Sequence, residues 1–156
     1  ALPLSGRGQN VVSMWKDTPN IRIDIGRRLY PICVDRVQIV GVLRSLISGG
    51  LEAMSVGGTL ELKVENATLE KKTKGVPLPT GKYVKVTVTD QGPGLPEEVL
   101  GRIFDPFFKH GQSANGMGMA GAYAVAKHHG GTITVASKPG KGTRMCRYLP
   151  APGAEN

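Results

Sequence analysis

The chain has 156 residues, 40% of them hydrophobic and 21% charged, and a net charge of +8. A chain of this length buries roughly 70% of its unfolded surface, enough for one good core, so the mixed composition indicates a globular domain and excludes a disordered chain. No apolar run approaches the roughly 20 residues needed to cross a bilayer, and no signal peptide is visible. Ala1–Leu2–Pro3–Leu4 carries no initiator Met, as expected of a fragment of a longer protein. Cys33 and Cys146 lack CxxC spacing and read as reduced, partly buried small hydrophobes of a cytosolic protein. The cationic excess suits an anionic partner, a nucleotide or an acidic protein. No basic stripe interleaved with aromatics is present, so nucleic acid is not expected.

In chain order, Asn10–Trp15 is a short apolar stretch, and Ile21, Ile23 and Ile25 alternate with Arg22 and Asp24 as a first strand. Over Arg36–Met54, Val37, Val40, Leu43, Leu46, Ile47 and Leu51 recur at helical spacing. Gly57-Gly58 ends that helix, and Thr59–Val64 alternates as a strand. Asn66–Thr80 is polar, lysine-rich and carries two prolines, which predicts a loop in which Lys71, Lys72 and Lys74 are solvated. Lys82–Thr89 is the next strand. Pro96–Ile103 reads as a short helix with Glu97 and Glu98 in its first turn, where carboxylates favour the dipole. Met117–His129 is a helix, and His128 and His129 stand at its end, where a cation suits the dipole. Thr132–Ser137 and Thr143–Leu149 are strands about a Pro139-Gly140 turn. Strands in one layer and helices in another predict an α/β two-layer sandwich with a mixed, mostly antiparallel sheet.

Tyr83, Val84, Val86 and Val88 lead to a lone carboxylate, Asp90, and Gly92 and Gly94 then let the backbone turn tightly beside a flat ligand. A carboxylate accepts hydrogen bonds from an exocyclic amine. Phe104, Phe107 and Phe108 form an aromatic knot, and Gly116–Met117–Gly118–Met119 opens a helix whose N–H groups suit phosphate. Each feature has a plainer reading: Asp90 as a turn residue, Gly116 and Gly118 as a helix-start turn, the phenylalanines as packing. The three in order suggest a nucleotide site.

Together these segments resemble the ATP-binding catalytic domain of sensor histidine kinases, within the wider family that includes gyrase and MutL. Asp90-x-Gly92-x-Gly94 resembles the first glycine box, Phe104-Asp105-Pro106-Phe107-Phe108 the aromatic box, and Ala114–Ala120 the second glycine box. His129-Gly130-Gly131-Thr132-Ile133 and Gly140-Lys141-Gly142-Thr143 match the closing strand and turn. The resemblance implies a catalytic domain over residues 1–150 with a tail at 151–156, ATP and Mg²⁺ as cofactors, and a cytoplasmic location. It implies transfer of the γ-phosphoryl of ATP to a histidine on a separate domain. The partners it implies are a histidine-bearing helical dimerisation domain and a response-regulator receiver domain, met near Phe107 and Phe108, with the fragment itself monomeric and away from membrane. Asp90 would read adenine, with Thr143 completing the polar floor of its pocket. Gly92, Gly94, Gly116 and Gly118 would line the nucleotide, and Lys109 and His110, in the lid, would either meet phosphates or stay solvated.

The chain departs from that family on one helix. Aligned through Leu51-Glu52-Ala53-Met54, Ser45 and Gly49 stand where the kinases carry two asparagines four residues apart, the inner one holding Mg²⁺. Gly49 offers no oxygen to a hard cation and Ser45 is a short neutral replacement. Ala114 replaces a usual glycine, and Lys109–Asn115 is short for an ATP lid. None of the three histidines sits in a phosphoacceptor setting, and no catalytic residue or metal ligand is assigned. Two readings follow: a histidine-kinase catalytic domain, or a degenerate pseudokinase form with weak nucleotide binding that acts as a protein-interaction or regulatory module.

Overall fold

A computed structural model describes residues 10–12, 20–32, 34–54, 57–70, 76–105 and 118–152. Six strands form one sheet: β1 (Asn10–Val12), β2 (Asn20–Ile25), β3 (Thr59–Leu69), β4 (Gly81–Thr89), β5 (Thr132–Ser137) and β6 (Thr143–Pro150), in spatial order β1-β2-β3-β4-β6-β5. Among the described residues only β2 and β3 pair in parallel. Parallel neighbours need a long crossover, and α1 (Arg36–Ala53) lies in that connection. A short helix, α2 (Glu97–Leu100), and α3 (Gly118–His128) complete the described elements. The expected two-layer sandwich with a mixed, mostly antiparallel sheet is the architecture found.

Asp35 starts α1 by accepting from the amides of Val37 at 2.9 Å and Gln38 at 3.3 Å, a cap whose removal costs about 1 kcal/mol. Val42, Leu46 and Met54 of this segment bury against Leu60, Val88 and Ile133 of the sheet and Ala122 and Ala126 of α3. Ile39 and Leu43 continue that layer over Val84, Val86 and Leu149. Alternation sends Tyr83, Cys146 and Tyr148 to the other face, where Leu69, Val76 and Leu78 cover them. Cys146 is buried with a free thiol, whereas Cys33 lies outside the described residues.

Three elements differ from the sequence expectation. The polar stretch from Asn66 does not leave the sheet at once, because β3 continues to Leu69 with Asn66 opposite Val84 and Leu69 opposite Gly81. Asn66 there accepts from the Tyr30 amide at 2.8 Å and donates to the Arg28 carbonyl at 3.0 Å, so its polarity serves the neighbouring loop. The helix expected over Pro96–Ile103 is one turn, Glu97–Leu100, followed by turns to Phe104. Ala151, past the end of β6, is buried and donates to the Lys82 carbonyl at 2.9 Å. Among the described residues no helix is long and apolar enough to cross a membrane.

Arg147 breaks the apolar pattern. It stands between Val86 and Ile133 on the helix-facing side of the sheet, with 0% exposure, and none of its guanidinium nitrogens has a partner among the described residues. Burial lowers its pKa to about 10, a penalty of roughly 3 kcal/mol against folding in the charged form. Removing such a charge in favour of a packed hydrophobe is stabilising where the pair is absent. Arg147→Met is therefore expected to raise the thermal midpoint by several degrees. In the parent chain stability should recover as pH rises through 10, because the unfolded chain then binds more protons than the folded one. Thermal denaturation of both chains from neutral to alkaline pH checks this; a lower midpoint for the variant would show that the guanidinium is paired.

Candidate functional site

Asp90 follows directly on β4 and continues the helix-facing row of Val84, Val86 and Val88, which places a carboxylate where the sheet ends against α1. The residue is 7% exposed. Its amide donates to the Thr143 carbonyl at 2.9 Å. Its Oδ1 accepts from the Gly92 amide at 2.9 Å and the Thr143 amide at 3.2 Å. Among the described residues Oδ2 takes no hydrogen bond, and it points towards α1: a methyl group on Gly50 would stand 3.8 Å from it. Burial raises the Asp90 pKa above the usual carboxylate range, opposed by the two amide donors.

The turn after Asp90 is fastened to the β5–β6 hairpin. Ser137 Oγ accepts from the Leu95 amide at 2.7 Å, donates to the Gly142 carbonyl at 2.9 Å and lies 2.9 Å from Thr143 Oγ1. The Gly140 amide donates to the Pro93 carbonyl at 2.6 Å. Gly94 and Gly142 both have φ near +80°, and a side chain there would collide with the carbonyls of Lys138 and Asp90 respectively. Glycine is demanded twice over, by conformation and by space.

The opposing wall is α1, and its two adjacent glycines differ. A Cβ at Gly50 would meet Leu60 Cδ1 at 2.5 Å, so a side chain there could be housed only if the buried Leu60 side chain shifted. Gly49 is exposed, and a Cβ there would have nothing within 4 Å. Ser45, one turn earlier, is buried at 2% exposure with its hydroxyl unpartnered. Mg²⁺ takes oxygen ligands in near-octahedral geometry, and this wall presents it with a bare helix surface and a sealed hydroxyl. Neither Ser45 nor Gly49 therefore offers that ion a ligand. Among the described residues no group of three or more His, Cys, Asp or Glu side chains is arranged to hold a metal.

The structure brings Asp90, Gly92 and Thr143 into direct hydrogen bonding and sets Gly94 against the same hairpin. Gly118 is the first residue of α3. Lys109, Gly116, Phe107, Phe108 and His110 lie outside the described residues. Phe104 stacks on Tyr123 of α3 with ring centroids 4.7 Å apart, a packing role. His128 ends α3, and the His129 ring nitrogen lies 2.9 Å from the Val125 carbonyl. Sequence reasoning did not single out Ser137 or Gln91. Gln91 Oε1 accepts from the Thr59 amide at 2.9 Å, and its own amide faces Met54 Sδ at 3.2 Å. A polar residue directly after the carboxylate was the only signal available for Gln91.

A buried carboxylate at a strand end, a glycine turn locked to a hairpin and a helix as the opposing wall define an ATPase-type nucleotide cleft. The chain belongs to the histidine kinase-, DNA gyrase B-, and HSP90-like ATPase family, whose pattern it matches over residues 34–153. It is 37% identical over 134 residues to the sensor kinase CckA of Brucella abortus, a match covering 83% of this chain and 14% of that protein. It is 31% identical over 133 residues to the alginate biosynthesis sensor protein KinB of Pseudomonas aeruginosa, covering 84% of this chain and 20% of that protein. The chain thus spans well under a third of the length of these relatives. Among solved structures it resembles a mycobacterial sensor histidine kinase, MprB, with TM-score 0.58 and 22% identity over 83% of this chain and 81% of that one. Full-length ShkA in complex with AMPPNP gives TM-score 0.59 and 21% identity over 82% of this chain and 25% of that one. The domain is that of the sensor histidine kinase branch of the family.

Asp90→Asn should separate the charge from the scaffold. The amide oxygen still accepts from Gly92 and Thr143, so the turn is expected to hold. The raised pKa means that the folded state binds the proton more tightly, so this group's contribution to stability is present at low pH and is lost as pH rises through its titration. The Asn variant should match the parent in acid and gain on it towards neutral pH. Urea unfolding at pH 4 and pH 7 measures this, and a variant less stable at pH 7 would contradict it.

Proposed function

We propose that this chain binds the adenine of ATP at Asp90 and serves as the catalytic domain of a two-component sensor kinase, delivering the γ-phosphoryl to a histidine on a separate helical domain. The single observation behind this is the unpaired Oδ2 of a buried, backbone-anchored carboxylate facing the cleft. It accepts from the exocyclic amine of adenine, and guanine presents an acceptor oxygen at the equivalent place. Leaving a buried donor unpaired costs roughly 1–3 kcal/mol, which sets the expected discrimination. Thr143 forms the polar floor beside it, Gly92 and Gly94 admit the flat base, and Gly116, Gly118 and Lys109 belong to the phosphate end. The relatives named as sensor kinases support the assignment, and the fold is shared with full-length ShkA, which was solved in complex with AMPPNP. The dimerisation domain and a receiver domain are the partners this role calls for, met near Phe107 and Phe108, with the fragment itself monomeric and cytoplasmic.

Phosphoryl transfer is catalysed by positioning and by neutralising charge over the phosphate oxygens, which Mg²⁺ ordinarily supplies. With a glycine at 49 and a sealed hydroxyl at 45, this chain's contribution to that neutralisation is reduced, and Lys109 or His110 is the candidate that the sequence offers to make up part of it. Nucleotide binding is accordingly weak and only slightly metal-dependent. The same two positions are all that a second reading rests on, in which a degenerate domain regulates a partner without turning ATP over, and the kinship with sensor kinases does not favour it.

Calorimetric titration of ATP, GTP and ADP, each with and without Mg²⁺, tests both. ATP should bind in preference to GTP, lose most of its affinity in Asp90→Asn, and respond little to Mg²⁺. Ser45→Asn with Gly49→Asn should introduce a Mg²⁺-dependent gain in ATP affinity. Equal binding of GTP and ATP would sink the adenine assignment. Strong Mg²⁺ dependence in the unaltered chain, with labelling of a supplied histidine domain, would restore ordinary kinase behaviour.

A further inference from the structure

Gln91 joins three walls of the cleft that are far apart in sequence. Its side-chain oxygen holds the first amide of β3, Thr59, at 2.9 Å. Its main-chain amide points at the sulfur of Met54, the residue that caps α1, at 3.2 Å. Met54 is itself fixed: it is 1% exposed, its amide donates to the Leu51 carbonyl at 3.2 Å, and its carbonyl accepts from Gly57 at 3.0 Å. The space for this junction is kept open by Gly58, whose φ of +126° favours glycine. A Cβ there would press to 3.2 Å from Gln91 Oε1 and 3.3 Å from Met54 Sδ. Gly58 in turn accepts from the Asn20 amide of β2 at 2.8 Å. The junction lies one residue from Asp90 in the chain and at the end of the helix whose Gly50 faces the Asp90 carboxylate.

We propose that Gln91 is a positioning residue: its side chain latches the Asp90 turn to the first residue of β3 and so steadies the junction where its main-chain amide meets the cap of α1, at the adenine end of the cleft. This deepens the adenine reading of Asp90 and rests on it. Without the side-chain bond the Thr59 amide loses its partner and the junction with α1 rests on the main-chain contact with Met54 alone, so the distance between the Asp90 turn and α1 is less firmly set. A site whose walls must be ordered on binding loses affinity to that ordering. The loss falls on the adenine end, so it is common to adenosine, ADP and ATP. A defect at the phosphates would instead grow from adenosine to ATP.

Gln91→Met keeps the length and removes the acceptor, while Gln91→Glu keeps an oxygen for the Thr59 amide. Dissociation constants for adenosine, ADP and ATP are measured by calorimetry for both, beside Asp90→Asn, with thermal midpoints recorded. Gln91→Met is expected to weaken all three ligands by the same factor, roughly fivefold, equivalent to about 1 kcal/mol, with a near-parental midpoint. Gln91→Glu should restore binding, a rescue that a general loss of packing would not give. Affinities of Gln91→Met equal to the parent's, with Asp90→Asn impaired, would remove the latch and leave the adenine reading standing. Full affinity in Asp90→Asn would remove both. A Gln91→Glu variant as weak as Gln91→Met would also overturn the latch.

Discussion

The cleft depends on one reciprocal pairing, the Asp90 amide on the Thr143 carbonyl and the Thr143 amide on Asp90 Oδ1. Through it the end of β4 is joined to the start of β6, and the turn that follows Asp90 is built onto the β5–β6 hairpin. A carboxylate buried at the end of a strand is costly unless its oxygens are satisfied. Here the backbone satisfies one oxygen fully and leaves the other towards the cleft. Burial raises the pKa and the two amides pull it back. The balance keeps an acceptor in a site that is otherwise apolar on its helix side.

Steric exclusion then shapes what the hydrogen bonds hold. Gly94 and Gly142 let two carbonyls approach backbone that no side chain could share, and Gly50 lets α1 come down onto Leu60. Gly94 and Gly142 have no substitute, whereas a side chain at Gly50 would require Leu60 to move. Gly49 is different, since open space surrounds its missing side chain, and a glycine in a helix interior costs roughly 1 kcal/mol relative to alanine. Nothing in the packing of the described residues requires it.

Most of the frame was legible because it follows simple periods. The alternation of Lys82–Thr89 gave β4 and the position of Asp90, and the 3.6-residue spacing from Arg36 gave α1. The end of β3 was not legible, because Glu65, Asn66 and Thr68 have the composition of a loop. They stay in the sheet through pairing with β4, a long-range condition that composition does not carry. Arg147 was hidden in the reverse sense: alternation puts it in the apolar row of Met145 and Leu149, whereas its charge alone would place it in solvent. Gln91 looked like any polar turn residue because its partner, Thr59, lies 32 positions away.

The two polar groups sealed inside the helix layer, Ser45 and Arg147, have different standing. Ser45 is small and its unpartnered hydroxyl costs on the order of 1–3 kcal/mol, a sum close to that of an ordinary core defect. Arg147 adds the desolvation of a full charge, which only a strongly cooperative core carries. Its neighbours Val86 and Ile133 belong to two buried clusters that α1 spans, with Leu43 over one and Leu46 in the other. The helix that walls the cleft thus also roofs the strained position. Any displacement of α1 that relieved the guanidinium would move Gly49, Gly50 and the Met54 junction together, since all stand on one continuous helix and its cap. The fastening of Asp90 to Thr143 holds the opposite wall still, so the width of the cleft is set by how firmly α1 is held down.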